Sequence, residues 1–257
     1  MSGGHSHGRS THGGYAEFDE SAAGALSDAG ISISASPAVC YHFCGAGENR
    51  AMWPDSRVYD AWEAHWRLSG RHTPLGAHII RGKLRHIRRL LEGRQISSCI
   101  DVGCGMGDAL DCLSRITGNA VGLDVSPVAI AACRARGLRA MEGDLLEHPH
   151  TYDLVFSDGM IEHFEDFRPY LAGLCRLSRR YVMIAQTNHA SPLITISLFL
   201  ERLIKPGVNV PEYPHRLSAF IDEFSSHSFS LIGQGSILLG GLKVFLFEKA
   251  HRDKEPG

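Results

Sequence analysis

A glycine-rich turn directly after an apolar run constrains the fold of this chain more than any other feature. Residues 96–100 predict a buried strand and residues 109–116 predict the start of a helix, so the stretch DVGCGMGD at 101–108 lies where a strand passes into a helix. Three glycines alternate along this stretch: Gly103, Gly105 and Gly107. Glycine adopts backbone angles that side chains forbid and lets a ligand approach the main chain closely. The turn therefore predicts a ligand site at the carboxyl end of the first strand.

The sequence after this turn alternates between strand and helix patterns. Helices separate five predicted strands, which cover about 96–102, 120–124, 138–144, 153–157 and 181–187. Such alternation predicts right-handed crossovers and a parallel sheet with helices on both faces. Two final strands, at 229–237 and 243–249, are joined by a connection too short for a parallel crossover, so we expect a hairpin. The predicted fold class is α/β: a doubly wound, seven-stranded, mostly parallel sheet with the last strand antiparallel, plus an N-terminal helical extension.

The overall composition excludes several classes of protein. The chain has 257 residues, of which 44% are hydrophobic, and its net charge is -2, which gives no general indication of a nucleic-acid or anionic membrane partner. Its 7 cysteines are scattered and odd in number, which favours a reducing compartment over a disulfide framework. The sequence shows no signal-peptide pattern and no apolar run long enough to span a membrane. We therefore expect a cytoplasmic protein.

The glycine spacing argues against a dinucleotide as the ligand. A dinucleotide-binding turn has the pattern G-x-G-x-x-G, whereas counting from Gly103 puts Asp108 where the third glycine would stand. An acid at the N-terminus of the helix would repel a pyrophosphate. Asp101, which ends the strand just before the turn, suits a ligand that carries an ammonium group.

Four motifs follow one another in a fixed order along the chain. They are DVGCGMG at 101–107, VGLDVSP at 121–127, EGDLLE at 142–147 and YDLVFSDGMIEHF at 152–164. Together they resemble the class I S-adenosylmethionine-dependent methyltransferases, over about residues 97–250. The resemblance implies a Rossmann-like fold, methyltransferase activity and S-adenosyl-L-methionine as the cofactor.

The resemblance also implies roles for the motif residues. Asp124 would meet the ribose hydroxyls, Asp144 would accept a hydrogen bond from the adenine amino group, and Leu145 would offer its backbone N–H. Capping of the helix that starts at Ser126–Pro127 is the alternative role for Asp124. The other residues that we place in the cofactor site are Asp101, Gly103, Cys104, Gly105, Val125 and Ser157.

His163 is the predicted catalytic residue. The sulfonium of the cofactor already makes its methyl group electrophilic, so the enzyme mainly has to orient a nucleophile. A base is needed only if that nucleophile keeps its proton. His163 follows the fourth strand, near the expected position of the methyl group, and packing is its alternative role. His189 and His215 are further candidates, on segments expected to roof the pocket.

The methyl acceptor is inferred from an absent motif and from one insertion. The chain reads SDGM after the fourth strand, without the Asn/Asp-Pro-Pro-Tyr motif of enzymes that methylate nucleobase amino groups. The insertion at 188–216 resembles the substrate lid of the small-molecule branch. Its helix at 191–204 is apolar on most sides, so it lines an acceptor pocket, meets a second subunit or touches lipid. We expect a small, partly apolar acceptor, and a monomer or homodimer.

Two other functions stay open at this point. A methyltransferase that acts on RNA or protein would use the basic face of the helix at 74–92, although a solvated surface also explains that face. Its basic residues are Arg81, Lys83, Arg85, Arg88 and Arg89. The second alternative is a non-catalytic module that binds S-adenosylmethionine.

The chain divides into three predicted regions. Residues 1–35, rich in Gly, Ser and His, predict a disordered tail. Residues 36–93 predict a helical extension or cap, and residues 94–257 the methyltransferase domain with its lid insertion at 188–216. No metal site is expected, because the tail histidines lack acids or cysteines at ligand spacing and Cys40 and Cys44 have no second pair.

Overall fold

The structure is a computed structural model that describes Trp62, Trp66 and residues 74–196, 210 and 212–250. The predicted tail at 1–35, the Cys40 and Cys44 pair and much of the lid insertion lie outside the described residues.

The described chain forms one sheet with helices packed against it. Its strands are β1 Cys99–Val102, β2 Ala120–Asp124, β3 Ala140–Glu142, β4 Tyr152–Asp158, β5 Ser178–Thr187, β6 Phe229–Ile237 and β7 Leu242–Lys249. Its α-helices of known extent are α1 Pro74–Leu91, α2 Asp108–Thr117, α3 Pro127–Ala135, α4 Arg168–Leu177 and α5 Leu217–Ser226. Short 3-10 helices lie at Ile161–His163 and Leu238–Gly240, and residues 192–196 are helical.

The strand order is β3-β2-β1-β4-β5-β7-β6. Neighbouring strands from β3 to β5 pair in parallel, and β7 runs antiparallel to both β5 and β6. This arrangement confirms the predicted fold class, a mostly parallel seven-stranded sheet whose last strand is antiparallel.

Two apolar layers cover the two faces of the sheet, because successive strand residues point to opposite sides. On one side Ile100 and Val155 pack with helices α4 and α5. On the other side Leu154 and Phe156 pack with helices α1, α2 and α3. With both faces buried, the central strands contain consecutive apolar residues instead of alternating ones.

The direction of the chain crossovers reverses at β1. This strand lies between β2 and β4, and β3 continues outward from β2. Parallel sheets bind ligands outside the carboxyl ends of the strands at such a switch point. The turn that follows β1 is anchored there, because the amide of Gly103 donates to the carbonyl of Leu123 at 2.8 Å.

Helix α1 packs along strand β6. A Cβ on Gly82 would lie 3.1 Å from Cγ2 of Ile237, and a Cβ on Gly233 would lie 2.7 Å from Cδ2 of Leu90. Most of the predicted basic face of α1 is exposed, but Lys83 is half-buried.

Candidate functional site

The turn after β1 requires glycine at its alternate positions. Gly103, Gly105 and Gly107 have φ angles of 72°, 48° and 83°, which lie in the left-handed region. A Cβ on Gly105 would lie 2.7 Å from Cζ2 of Trp66, so this aromatic ring rests directly on the turn. The positive φ angles of this turn, together with the close approach of the Trp66 ring to Gly105, explain why glycine occupies these positions.

Asp124 ties the end of β2 to this turn. Its Oδ2 accepts from the amide of Gly105 at 2.8 Å, and its Oδ1 accepts from the amide of Ser126 at 2.9 Å. Helix α3 is capped instead by Oγ of Ser126, which accepts from the amide of Ala129 at 3.2 Å. These two bonds fix both carboxylate oxygens of Asp124 beside the turn, at the carboxyl end of β2.

Asp101 is a buried carboxyl group without a hydrogen bond to any described residue. It is 1% exposed, and neither of its oxygens has a partner among the described residues. Burial, followed by the neighbouring carboxylate of Asp158, raises the pKa of Asp101 well above its ordinary value. An unpaired buried carboxyl group is unfavourable, so a cationic ligand at this position would stabilise it. Ser157 on the adjacent strand β4 is also fully buried, and its hydroxyl lacks a partner within the described chain.

Lys83 brings a positive charge from α1 to the same edge of the sheet. Its Nζ lies 2.5 Å from Oδ2 of Asp158, and both side chains are largely shielded from solvent. Lys83 also acts on Asp101, since its charge opposes the rise in the pKa of that carboxyl group. An ammonium and two carboxylates therefore lie close together beyond β1 and β4. This charge pattern suits a ligand that carries both an ammonium and a carboxylate group.

The remaining predicted cofactor residues lie in different surroundings. Oδ1 of Asp144 accepts from the amide of Leu146 at 2.8 Å and so shapes its own turn. The side chain of Leu145 is buried against Gly173. The thiol of Cys104 is directed at β2, where a Cβ on Gly122 would lie 2.6 Å from its Sγ. Val125 is half-buried in the loop after β2.

An aromatic pair connects the glycine turn with His163. The rings of Trp62 and Trp66 stack with centroids 5.1 Å apart, and Trp66 rests on Gly105. The ring of His163 meets Trp62 edge-on at 4.9 Å. His163 is 5% exposed and lies in the 3-10 helix after β4. The structure thus brings the predicted catalytic residue near the predicted cofactor turn.

Glu162 is held rigidly beside His163. Its Oε2 accepts from the amide of Thr187 at 3.0 Å, and its Oε1 accepts from the hydroxyl of the same residue at 3.0 Å. Burial, followed by the carboxylate of Glu212, raises the pKa of Glu162 to about 8. One ligand atom from each of Glu162, His163 and Glu212 lies within 4.8 Å of the other two.

The two other candidate histidines differ in their surroundings. His215 has its Nε2 2.8 Å from the carbonyl of Phe164. His189 has a buried Nε2 without a hydrogen bond to any described residue, and burial lowers its pKa. Neither His189 nor His215 has a described contact with the glycine turn. His163, in contrast, contacts Trp62, which stacks on Trp66 beside that turn.

Several residues of this site were not found by sequence reasoning. Lys83 is one of five basic residues on its helix, and nothing in the sequence separates it from its exposed neighbours. The partners of Glu162 lie far away along the chain, at Thr187 and Glu212. The adjacent Glu162 and His163 in the sequence indicated where a site could lie, but not what Glu162 does there.

Comparison with known proteins places this architecture in a family. Residues 100–183 match the model of a methyltransferase domain. The ubiquinone biosynthesis O-methyltransferase of Pectobacterium carotovorum subsp. carotovorum is 30% identical over 170 residues, which cover 61% of this chain and 69% of that protein. The enzyme of the same name from Proteus mirabilis is 23% identical over 188 residues, which cover 65% of this chain and 76% of the relative.

Solved structures show the same fold. Magnesium protoporphyrin IX methyltransferase from Synechocystis, crystallised with SAH, aligns with a TM-score of 0.59 and 16% identity over 75% of this chain and 94% of its own. The N-methyltransferase NodS from Bradyrhizobium japonicum, in complex with S-adenosyl-l-homocysteine, aligns with a TM-score of 0.55 and 16% identity over 76% of this chain and 99% of its own. The chain therefore belongs to the class I S-adenosylmethionine-dependent methyltransferases. As a member of this family it uses S-adenosyl-L-methionine as its cofactor.

Among the helices of the described residues, none combines the length and the apolar composition that a membrane span requires.

Proposed function

We propose that this methyltransferase transfers the methyl group to an oxygen atom of a small, partly apolar acceptor bound beside Trp62 and His163. The observation that carries the proposal is the continuous contact from Gly105 through Trp66 and Trp62 to His163. This contact puts an apolar aromatic surface and a buried imidazole next to the cofactor turn. The name that the curated relatives share, ubiquinone biosynthesis O-methyltransferase, supports a small molecule and an oxygen acceptor.

The residues at the carboxyl ends of the strands fit the cofactor. The unpaired carboxyl group of Asp101 suits the ammonium of its methionine part, and Lys83 suits its carboxylate. Asp124 suits the ribose hydroxyls, and Asp144 with the backbone of Leu145 suits the adenine. When bound, the cofactor supplies a methyl group on a positively charged sulfur, which any well-placed nucleophile attacks.

The chain itself contributes orientation and proton transfer. Aromatic rings bind a planar acceptor without consuming hydrogen bonds, and fixed orientation supplies up to about 7–11 kcal/mol of barrier reduction in well-aligned reactions. His163 takes the proton that the acceptor hydroxyl loses. A phenolic or other acidic hydroxyl suits such a weak base best.

The start of the lid insertion supports an apolar acceptor. In residues 192–196, Leu193 and Ile196 are exposed while Ile194 is buried against Gly241. An apolar molecule bound nearby would cover such side chains.

The test is incubation of the full chain with methyl-labelled cofactor and host extract, followed by separation by size. We expect label in low-molecular-weight material that partitions into organic solvent, and mass spectrometry should show a methyl ether. Label confined to protein or RNA would overturn the proposal. Asp124→Ala should lose labelling at limiting cofactor, and Glu92→Gln, at an exposed acid just after α1, is the control that should keep it.

A further inference from the structure

Three potential metal ligands converge where the acceptor is proposed to bind. Glu162 and His163 come from the 3-10 helix after β4, and Glu212 comes from the segment before α5. One ligand atom of each lies within 4.8 Å of the other two. The two segments are joined next to the cluster, because the amide of Tyr213 donates to the carbonyl of Glu162 at 2.9 Å.

This cluster differs from an acidic patch on a protein surface. Glu162 and His163 are 6% and 5% exposed, so water does not screen their charges. The charges that act most strongly on Glu162 are two further carboxylates, Glu212 and Asp158. Burying like charges together is unfavourable unless a cation is shared between them. One imidazole and two carboxylates form a mixed donor set that divalent cations accept.

The surroundings of Glu162 also suit a ligand carboxylate. Thr187 donates to both of its oxygens from the backbone and the hydroxyl, at 3.0 Å each, which fixes the orientation of the group. Each oxygen retains a second acceptor position. Ligand carboxylates in metal sites are characteristically oriented by such outer hydrogen bonds.

We propose that Glu162, His163 and Glu212 bind one divalent cation. Three protein ligands leave coordination positions on the ion open. The acceptor oxygen fills one of these positions, a step that rests on the proposed function. The ion lowers the pKa of the acceptor hydroxyl, whose proton leaves to solvent. The oxygen then forms the bond to the methyl carbon, the carbon–sulfur bond breaks, and its electron pair stays on the sulfur. In this state His163 is a ligand, whereas in the metal-free protein it takes the proton itself.

The direct test is titration of the full chain with Mn²⁺ after treatment with a chelator, followed by electron paramagnetic resonance of the free ion. Mn²⁺ is the probe because it binds imidazole clusters weakly, so the histidines of the N-terminal region interfere least. We expect about one ion per chain, competed by Mg²⁺, and a loss of affinity of at least about tenfold in Glu212→Gln. Glu92→Gln, at an exposed acid just after α1, should bind as the original protein does. The tail histidines are the same in all variants, so only the cluster can account for the difference.

Glu212 is half-buried, and its substitution spares the rigid Glu162. If Glu162→Gln fails to fold, Glu212→Gln and the original protein still decide the question, with binding of S-adenosylhomocysteine as the check on folding. Absence of stoichiometric Mn²⁺ binding, or equal binding in Glu212→Gln, would overturn the metal site. Small-molecule methylation by chelator-treated enzyme would then still support the proposed function. Label found only in macromolecules would instead refute that function, whatever the titration shows.

Discussion

Replacing Asp101 by asparagine should weaken binding of the cofactor product while leaving the fold intact. Asp101 is 1% exposed and has no hydrogen-bond partner among the described residues, so the ammonium of the ligand is expected to provide its first strong interaction. A hydrogen bond between charged groups contributes about 1.5–3 kcal/mol, which corresponds to a loss of about 10- to 150-fold in affinity. Asparagine keeps the size of the side chain, removes its negative charge and replaces one acceptor oxygen by an NH2 donor.

The assay is calorimetric titration with two ligands. S-adenosylhomocysteine carries the amino-acid part, whereas 5′-methylthioadenosine lacks it. We expect Asp101→Asn to lose affinity for the first ligand and to bind the second as the original protein does. Equal losses for both ligands would indicate general damage to the site, and unchanged affinity for both would remove Asp101 from it.

The raised pKa of Asp101 adds a second readout. In the free protein its carboxyl group holds a proton to higher pH than an ordinary aspartate, because of burial and the neighbouring Asp158. An arriving ammonium favours the carboxylate, so binding should release this proton at pH values above the ordinary pKa of aspartate. Titrations in buffers of different ionisation enthalpy measure the release. Asp101→Asn should show none of it, and identical proton release in the variant would refute the reasoning.

Three further predictions concern the same edge of the sheet and its supports. Lys83→Met should weaken the binding of S-adenosylhomocysteine about tenfold in the same calorimetric assay, because one charged hydrogen bond is lost, and should leave the binding of 5′-methylthioadenosine unchanged. An equal loss of affinity for both ligands would contradict a role of Lys83 at the ligand carboxylate. Gly107→Ala should destabilise the fold by about 1–3 kcal/mol more than Gly137→Ala in urea unfolding. Both residues have positive φ, but only at Gly107 would a Cβ clash, 2.7 Å from Cδ1 of Leu138; equal losses would argue against the clash. His148 has a lowered pKa because of burial, so the unfolded chain takes up its proton first and stability should fall as pH drops below about 6.5. Urea unfolding at several pH values should show a flatter profile for His148→Gln, and an unchanged profile would exclude His148 as the cause.

Most of the fold was predictable because its signals are local. The β2 strand at Ala120–Asp124 matched its predicted bounds, since a turn at Gly118 precedes it and the Ser126 cap follows it. Strand β1 is shorter at its start than predicted, because residues 96–98 precede the paired region. The first and last residues of a strand depend on its pairing with strands that are distant in sequence, and the local sequence pattern does not show this pairing.

The site was less predictable than the fold for the same reason. Asp101 and Asp124 could be predicted as site residues because their motifs lie at the ends of strands, where parallel sheets bind ligands. Sequence reasoning weighed helix capping as the alternative for Asp124, and the structure gives that cap to Ser126. The contacts of Lys83 with Asp158 and of Glu162 with Thr187 join residues far apart in the chain. Only the folded arrangement makes these side chains neighbours.

The most direct measurement of the central claim is calorimetric titration of the full chain with S-adenosylhomocysteine, alongside Asp124→Ala. We expect one ligand per chain, with about 10- to 100-fold weaker binding in the variant, because Asp124 is proposed to bind the ribose and accepts a hydrogen bond from the amide of Gly105. Absence of heat with S-adenosylhomocysteine, together with clear binding of NADH, would contradict the assignment of the glycine turn to this cofactor.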